Sequence, residues 1–325
     1  MKTTIFNSNQ LEQGLLLAAE KLRNNEVIAF PTETVYGLGA RIFSDQAIQR
    51  IYDVKGRPSD NPLIAHVSNM QQVEMIARDL PTHFEQLTTI FWPGPLTLVV
   101  PKQPNVPEIA TAGLSTIGIR MPNHPLALAL IEHVGEPIVA PSANISGRPS
   151  PTTAEHVMQD LDGKIEVILD GGSSPIGIES TILDLTTSVP TILRPGVITQ
   201  AEIEEVLGFP ITSSTFANTD ERPKAPGMKY RHYAPVAKIE IIENWNPEII
   251  QKIQSFQGST VVLSDEDVPE SIENTIPTWP LNTSMLYSAF RKADELSFSH
   301  IFIVLTQKIK DNSGLIDRIS KASNT

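Results

Sequence analysis

The chain has no cysteine among its 325 residues, which excludes disulfides, thiolate nucleophiles and cysteine-ligated zinc. No apolar run approaches the roughly 18 residues of a membrane-spanning helix. Met1 to Asn7 leads into Gln and Glu rather than an apolar export core, so a cytoplasmic address is the expectation. Asn144-Ile-Ser146 and Asn282-Thr-Ser284 fit the glycosylation pattern, but without an export signal they read as chance. The Walker pattern is missing, and Gly37-Leu-Gly39 falls short of a dinucleotide fingerprint, so the ordinary nucleotide folds are not supported. Gly-x-Ser-x-Gly is absent too. Ser142 has Asn144 near it but no visible base, which argues against a serine hydrolase. His124 and His133 do not pair at helical metal spacing and no His/Asp/Glu cluster suggests a protein-built cage, so metal ligands stay unassigned. Positive charge is scarce: 25 Lys and Arg stand against 37 Asp and Glu, a net charge of −12 that opposes loose binding to a nucleic-acid backbone.

What is present suffices for about two domains, with 40% apolar residues to fill their cores. Residues 1–208 carry a net charge of −10, residues 209–236 of +2, and residues 237–325 of −4. In the first segment, helical spacing over Leu11–Asn24, Ser44–Val54, Met70–Ala77, His83–Phe91 and Leu126–His133 alternates with strand-like runs. These runs are Glu26–Phe30, Leu63–Val67, Leu96–Val100, Ser115–Arg120, Ile138–Ala140 and Val167–Leu169, with Ser180–Leu185 and Thr191–Arg194 resembling a hairpin. Ser44 is the expected N-cap of its helix. The pattern predicts an α/β or α+β catalytic-sized domain over 1–208. Residues 209–236 lack either periodicity and are too long for an ordinary connection, so they read as a linker or lid, with the lid favoured by Ala225–Pro235. Strands at Lys238–Ile242, Val261–Leu263 and His300–Leu305, and a helix at Leu286–Asp294, predict a small α/β domain over 237–325.

Chemistry concentrates in the first segment. Phe30-Pro-Thr-Glu-Thr-Val-Tyr-Gly-Leu-Gly39 breaks an apolar strand into hydroxyls and glycines, and Lys55, Arg57 and Asn61 follow a helix. Thr116 and Arg120 share a strand; Ser142, Asn144, Gly147 and Arg148 follow another; Glu179-Ser-Thr181 and Leu193-Arg-Pro-Gly196 complete the set. One such cation would be a solvated surface charge. Four sites, each beside Gly, Pro or Ser, point to a polyanionic ligand, since Arg forks suit carboxylate and phosphate and Lys adds point charge. On its own, His66 inside a buried strand reads first as a satisfied core histidine.

Taken together, Pro31–Gly39, Lys55-Gly-Arg-Pro58, Trp92-Pro-Gly-Pro-Leu-Thr97, Ile117–Pro122, Pro141-Ser-Ala-Asn144, Glu179-Ser-Thr181 and Leu193-Arg-Pro-Gly196 closely resemble the YrdC-like threonylcarbamoyl-AMP synthase family. The run Pro226–Pro235 and the extra domain resemble its long, two-domain form. The resemblance implies a twisted mixed sheet with helices around a concave basic cavity. It implies that L-threonine, bicarbonate and ATP, with Mg²⁺, give threonylcarbamoyl-AMP and pyrophosphate. A separate transferase complex then passes the group to the adenosine beside the anticodon of certain tRNAs. By the same resemblance Thr34, His66, Arg120, Ala140 (through its backbone) and Ser180 hold threonine. Lys55, Arg57, Asn61, Thr116, Ser142, Ser150, Arg194 and, in the lid, Tyr233 line the ATP side, with Lys55, Arg57 and Arg120 carrying the catalytic charge. Two other readings stand beside it: an RNA-binding module on the same surface, which the acidic balance opposes, and a carbamoyl-phosphate-using transferase.

Overall fold

The computed structural model describes residues 1–214 and 233–323. Contacts divide the chain into two units, Met1–Ser146 with Ser150–Tyr230, and Gly147–Pro149 with Arg231–Thr325.

In the first unit the strands are, in chain order, β1 (Thr4–Phe6), β2 (Ile28–Phe30), β3 (Gly37–Arg41), β4 (Ile64–His66), β5 (Leu96–Pro101), β6 (Thr116–Arg120), β7 (Ile138–Val139), β8 (Val167–Leu169), β9 (Thr181–Asp184), β10 (Thr191–Arg194) and β11 (Thr212–Ser213). Among the described residues they form one mixed sheet in the order β1-β8-β2-β3-β7-β4-β6-β5-β9-β10-β11. Side chains alternate across a strand, and here the alternation builds two different faces. Val27 and Ala29 enter one core while Ile28 and Phe30 enter the other, and Ile168 is likewise separated from Val167 and Leu169. The larger core lies under helices Asp45–Lys55, His83–Phe91, Ala154–Leu161 and Gln200–Leu207. Each fully buried Leu, Ile or Val contributes roughly 1.5–3 kcal/mol to this packing.

The opposite face is divided. Over β1, β8, β2 and β7 it is covered by helices Leu11–Arg23 and Pro125–Val134 through Ala18, Leu22, Leu130 and Ile131. Over β4, β6, β5, β9 and β10 it carries only the small cluster Ile64, Val99, Ile182 and Leu193. The positions alternating with the larger core's residues are polar there: His66, Thr97, Thr116 and Arg120, with Ser180 entering β9 and Arg194 ending β10. That polar half-face is where the site forms.

Ser44 caps the helix Asp45–Lys55 as expected, accepting from Ala47 N at 3.2 Å, and Gly56 in the left-handed region ends it. Gly37-Leu-Gly39 departs from the sequence reading. It is not part of a loop but of β3, antiparallel to β2 with Ile28 opposite Gly39. The Phe30 ring lies against both glycines, where a Cβ would come within 3.0 and 3.1 Å of it. The loop is thereby confined to residues 31–36. The stretch read as aperiodic after Gly208 also contains β11, parallel to β10.

The second unit has an all-parallel sheet of β12 (Lys238–Ile242), β13 (Thr260–Ser264), β14 (Thr278–Pro280) and β15 (His300–Val304), ordered β12-β15-β13-β14 among the described residues. Ile242, Val262 and Phe302 anchor its core against Ile253 and Ile272. β14 was not legible beforehand. Tyr233 belongs to this unit: it is buried, stacked on Tyr287 at 5.4 Å, with the fully buried Arg318 guanidinium 5.4 Å from its ring centre. The rest of the expected lid, 215–232, lies outside the described residues. Among the described residues no helix is long and apolar enough to cross a membrane.

Candidate functional site

β4 and β6 run parallel with His66 opposite Arg120, so sheet register alone brings an imidazole and a guanidinium side by side. Arg120 is 4% exposed. Its Nε donates to Gly94 O (3.2 Å), its Nη1 donates to Thr34 Oγ1 (2.8 Å), and its Nη2 lies 2.6 Å from Glu33 Oε2. A guanidinium has five N–H groups, so donors remain for a ligand. The Glu33 pair is close but poorly aligned as a hydrogen bond, and Glu33 Oε1 has no partner among the described residues.

The loop after β2 presents these groups through a local hydroxyl network. Thr32 Oγ1 accepts from the backbone N–H of Thr34 and of Val35, and donates to Val35 O at 2.6 Å. The two hydroxyls lie 2.9 Å apart, a contact in which either can be the donor. Thr34 Oγ1 in turn accepts from Arg120 Nη1. The loop is fastened from outside by Ile176 N on Glu33 O and Gly177 N on Thr34 O.

His66 is buried, and its Nδ1 has no hydrogen-bond partner among the described residues. Burial, reinforced by the Arg120 charge, lowers its pKa to about 3, so the ring is neutral at physiological pH. It offers the site an acceptor or donor without adding charge.

Ser180 closes this cluster on the β9 side. Its Oγ lies 2.7 Å from Thr97 Oγ1 and accepts from Arg194 Nη2 at 3.2 Å, while its carbonyl takes the Arg194 fork at 2.9 and 3.1 Å. Gly196 must be glycine for this: a Cβ there would run into the Ser180–Thr181 backbone.

The expected ATP-side residues gather around the end of helix Asp45–Lys55. The buried Lys55 ammonium donates to Ser142 O and to Asn144 O at 2.7 Å, and Ser142 Oγ donates to Asn144 Oδ1 at 2.5 Å. Arg57 Nη2 reaches Asn61 O and Pro62 O. The Asn61 amide is 1% exposed, with no hydrogen-bond partner for either atom among the described residues, a cost of about 1–3 kcal/mol that a ligand would relieve. Ser150 Oγ donates to buried Glu179 at 2.6 Å. Ala140 joins this group to the first, its N–H on Ile64 O. Thr116 is half-exposed at the far end of β6, about 13 Å along the strand from Arg120. Among the described residues no three His, Cys, Asp or Glu side chains are grouped to hold a metal.

Sequence reasoning assigned no role to Glu33 or Thr97. An acidic residue in a polar loop reads as solvated, and a Thr in an apolar strand reads as core.

A mixed α/β sheet with one polar half-face, cationic forks and unpartnered buried polar atoms defines a binder of small anionic substrates. Its lineage is also plain. Residues 20–196 match the family model for Sua5, YciO and YrdC proteins, described as "Telomere recombination", and residues 198–324 match the threonylcarbamoyl-AMP synthase C-terminal domain. The chain belongs to this family, in its two-domain form. It is 50% identical over 246 residues to the threonylcarbamoyl-AMP synthase of Pyrococcus abyssi, covering 75% of this chain and 72% of that one. The Schizosaccharomyces pombe threonylcarbamoyl-AMP synthase is 38% identical over an alignment covering 97% and 90%. The crystal structure of P. abyssi Sua5 complexed with L-threonine superimposes with a TM-score of 0.90, 40% identity, and coverage of 99% and 98%. E. coli YciO, at 24% identity and a TM-score of 0.55, covers 62% of this chain and shares the fold.

Proposed function

We infer that the protein is an L-threonylcarbamoyladenylate synthase, a nucleotidyltransferase that makes threonylcarbamoyl-AMP and pyrophosphate from L-threonine, bicarbonate and ATP. One observation carries the reading: a buried guanidinium, Arg120, held by Thr34, Glu33 and Gly94 with N–H donors to spare, beside a neutral His66. This suits an amino-acid carboxylate on Arg120 and polar substrate groups on Thr34 and His66, with Ala140 contributing backbone and Ser180 closing the far side. The family relationship and the threonine complex of the P. abyssi relative support it.

In this reading the substrate amine gives up a proton and attacks the carbon of bicarbonate-derived carbon dioxide, forming a carbamate. A carbamate oxygen then attacks the α-phosphorus in line and pyrophosphate leaves. Two anions must meet, so orientation and positive charge dominate the rate. Arg57 and Arg194 supply charge, and Asn61, Thr116, Ser142 and Ser150 supply polar contacts on the ATP side. Lys55 acts by bracing the Ser142–Asn144 loop through its carbonyls. Mg²⁺ enters with ATP as part of that substrate, since both site carboxylates, Glu33 and Glu179, are engaged by Arg120 and Ser150. The product serves a separate transferase complex that modifies tRNA, in the cytoplasm where ATP and bicarbonate are at hand.

The test is pyrophosphate release by the purified protein with ATP and Mg²⁺. Release that requires both L-threonine and bicarbonate supports the reading; release indifferent to threonine contradicts it.

A further inference from the structure

Thr97 is fully buried on β5, one strand away from Ser180, and the bond to Ser180 Oγ at 2.7 Å is the only side-chain hydrogen bond its hydroxyl makes among the described residues. Its rotamer is fixed by packing. A Cβ at Gly118 on β6 would come within 3.2 Å of the Thr97 methyl, so the glycine leaves the room into which that methyl leans. With the methyl against Gly118, the hydroxyl faces Ser180.

The direction of that bond follows from counting protons. Ser180 Oγ has one hydrogen and two lone pairs, and Arg194 Nη2 already donates to one lone pair. If Ser180 donated to Thr97, the Thr97 hydrogen would be buried with no acceptor, a state proteins avoid. If Thr97 donates instead, both Ser180 lone pairs are filled. The Ser180 hydrogen is then left free for a ligand, and Ser180 sits at the entry of β9 on the polar half-face.

We propose that Thr97 is a positioning residue that, with Arg194, makes Ser180 an obligate hydrogen-bond donor to the acceptor group of the amino-acid substrate. This rests on the threonine-binding reading above and extends it. Ser180 and Arg120 then donate to the substrate from two strands. The site thus presents two donors to the acceptor end of an amino acid before any ligand arrives.

The test is a double-mutant cycle read by calorimetric titration of L-threonine into the full-length protein. Thr97→Val removes the hydroxyl and keeps the shape, and weakens L-threonine binding about tenfold, the worth of one buried hydrogen bond. Thr97→Ser restores binding to within about twofold of wild type, which separates the hydroxyl from general packing. In a Ser180→Ala background, Thr97→Val has no further effect, and Thr97→Val alone leaves ATP binding unchanged. A tenfold loss that persists without the Ser180 hydroxyl, a Thr97→Ser variant as weak as Thr97→Val, or parallel loss of ATP affinity overturns the proposal alone. Failure of the wild type to bind L-threonine at all removes the functional reading, and this inference with it.

Discussion

Arg120→Ala carries two consequences that can be measured apart. The substitution removes the donors to Gly94 and Thr34 and leaves Glu33, 5% exposed, without its counter-ion. An exposed ion pair would contribute little, but removing one partner of a buried pair costs about 3–5 kcal/mol because the other charge stays buried and uncompensated. For a unit of this size that lowers the melting temperature by roughly 6–20 °C. Glu33→Ala should cost about as much for the mirror-image reason. The double variant, which buries no lone charge, should be more stable than the sum of the two losses implies by roughly 1–3 kcal/mol. Urea unfolding of the four proteins gives that coupling directly. Separately, loss of the carboxylate contact lowers kcat/KM for L-threonine about 30- to 1000-fold, or roughly 2–4 kcal/mol. Strictly additive stabilities in the double variant would refute the coupled buried pair, and near-normal turnover by Arg120→Ala would refute its substrate role.

Three further outcomes are expected. His66, whose pKa is lowered to about 3, resists a proton that the unfolded chain accepts near 6.5, so acid favours unfolding between those values. Its share is about 1.4 kcal/mol per pH unit, so between pH 6.5 and 5 wild type should lose about 2 kcal/mol more than His66→Gln in urea unfolding; equal slopes would mean the ring is protonated in the folded state. Lys55→Met should loosen the Ser142–Asn144 loop and raise KM for ATP at least about tenfold while L-threonine binding changes little; steady-state kinetics with each substrate varied would expose the opposite pattern. Gly196→Ala should force the β10 end away from Ser180 and reduce kcat/KM by more than about tenfold, because the added Cβ meets backbone rather than a movable side chain; unchanged kinetics would show that the turn yields freely.

Much of the fold was readable where burial is periodic. β4, β5, β6 and β9 are apolar runs or alternations of ordinary length, and Arg120 at the end of β6 and Ser180 just before β9 were picked out with them. His66 at the end of β4, by contrast, read as core until the family motifs gave it a role. β3 was hidden because its glycines imitate a turn, while the reason for them, the Phe30 ring across the sheet, is a tertiary fact. β1 and β14, three residues each, and β11 with two are too short to show a period. The site residues were legible as types, but their pairings were not. That Arg120 meets Glu33, that Thr97 meets Ser180, and that Lys55 spends its charge on loop carbonyls depend on sheet order, which joins segments up to 89 positions apart in the chain.

The most direct test of the central claim is the mass of the product formed from ATP, Mg²⁺, L-threonine and carbon-13-labelled bicarbonate. The account predicts a threonylcarbamoyl-AMP adduct that carries the single labelled carbon and appears in step with pyrophosphate. Pyrophosphate accompanied by AMP or an unlabelled adenylate would contradict it.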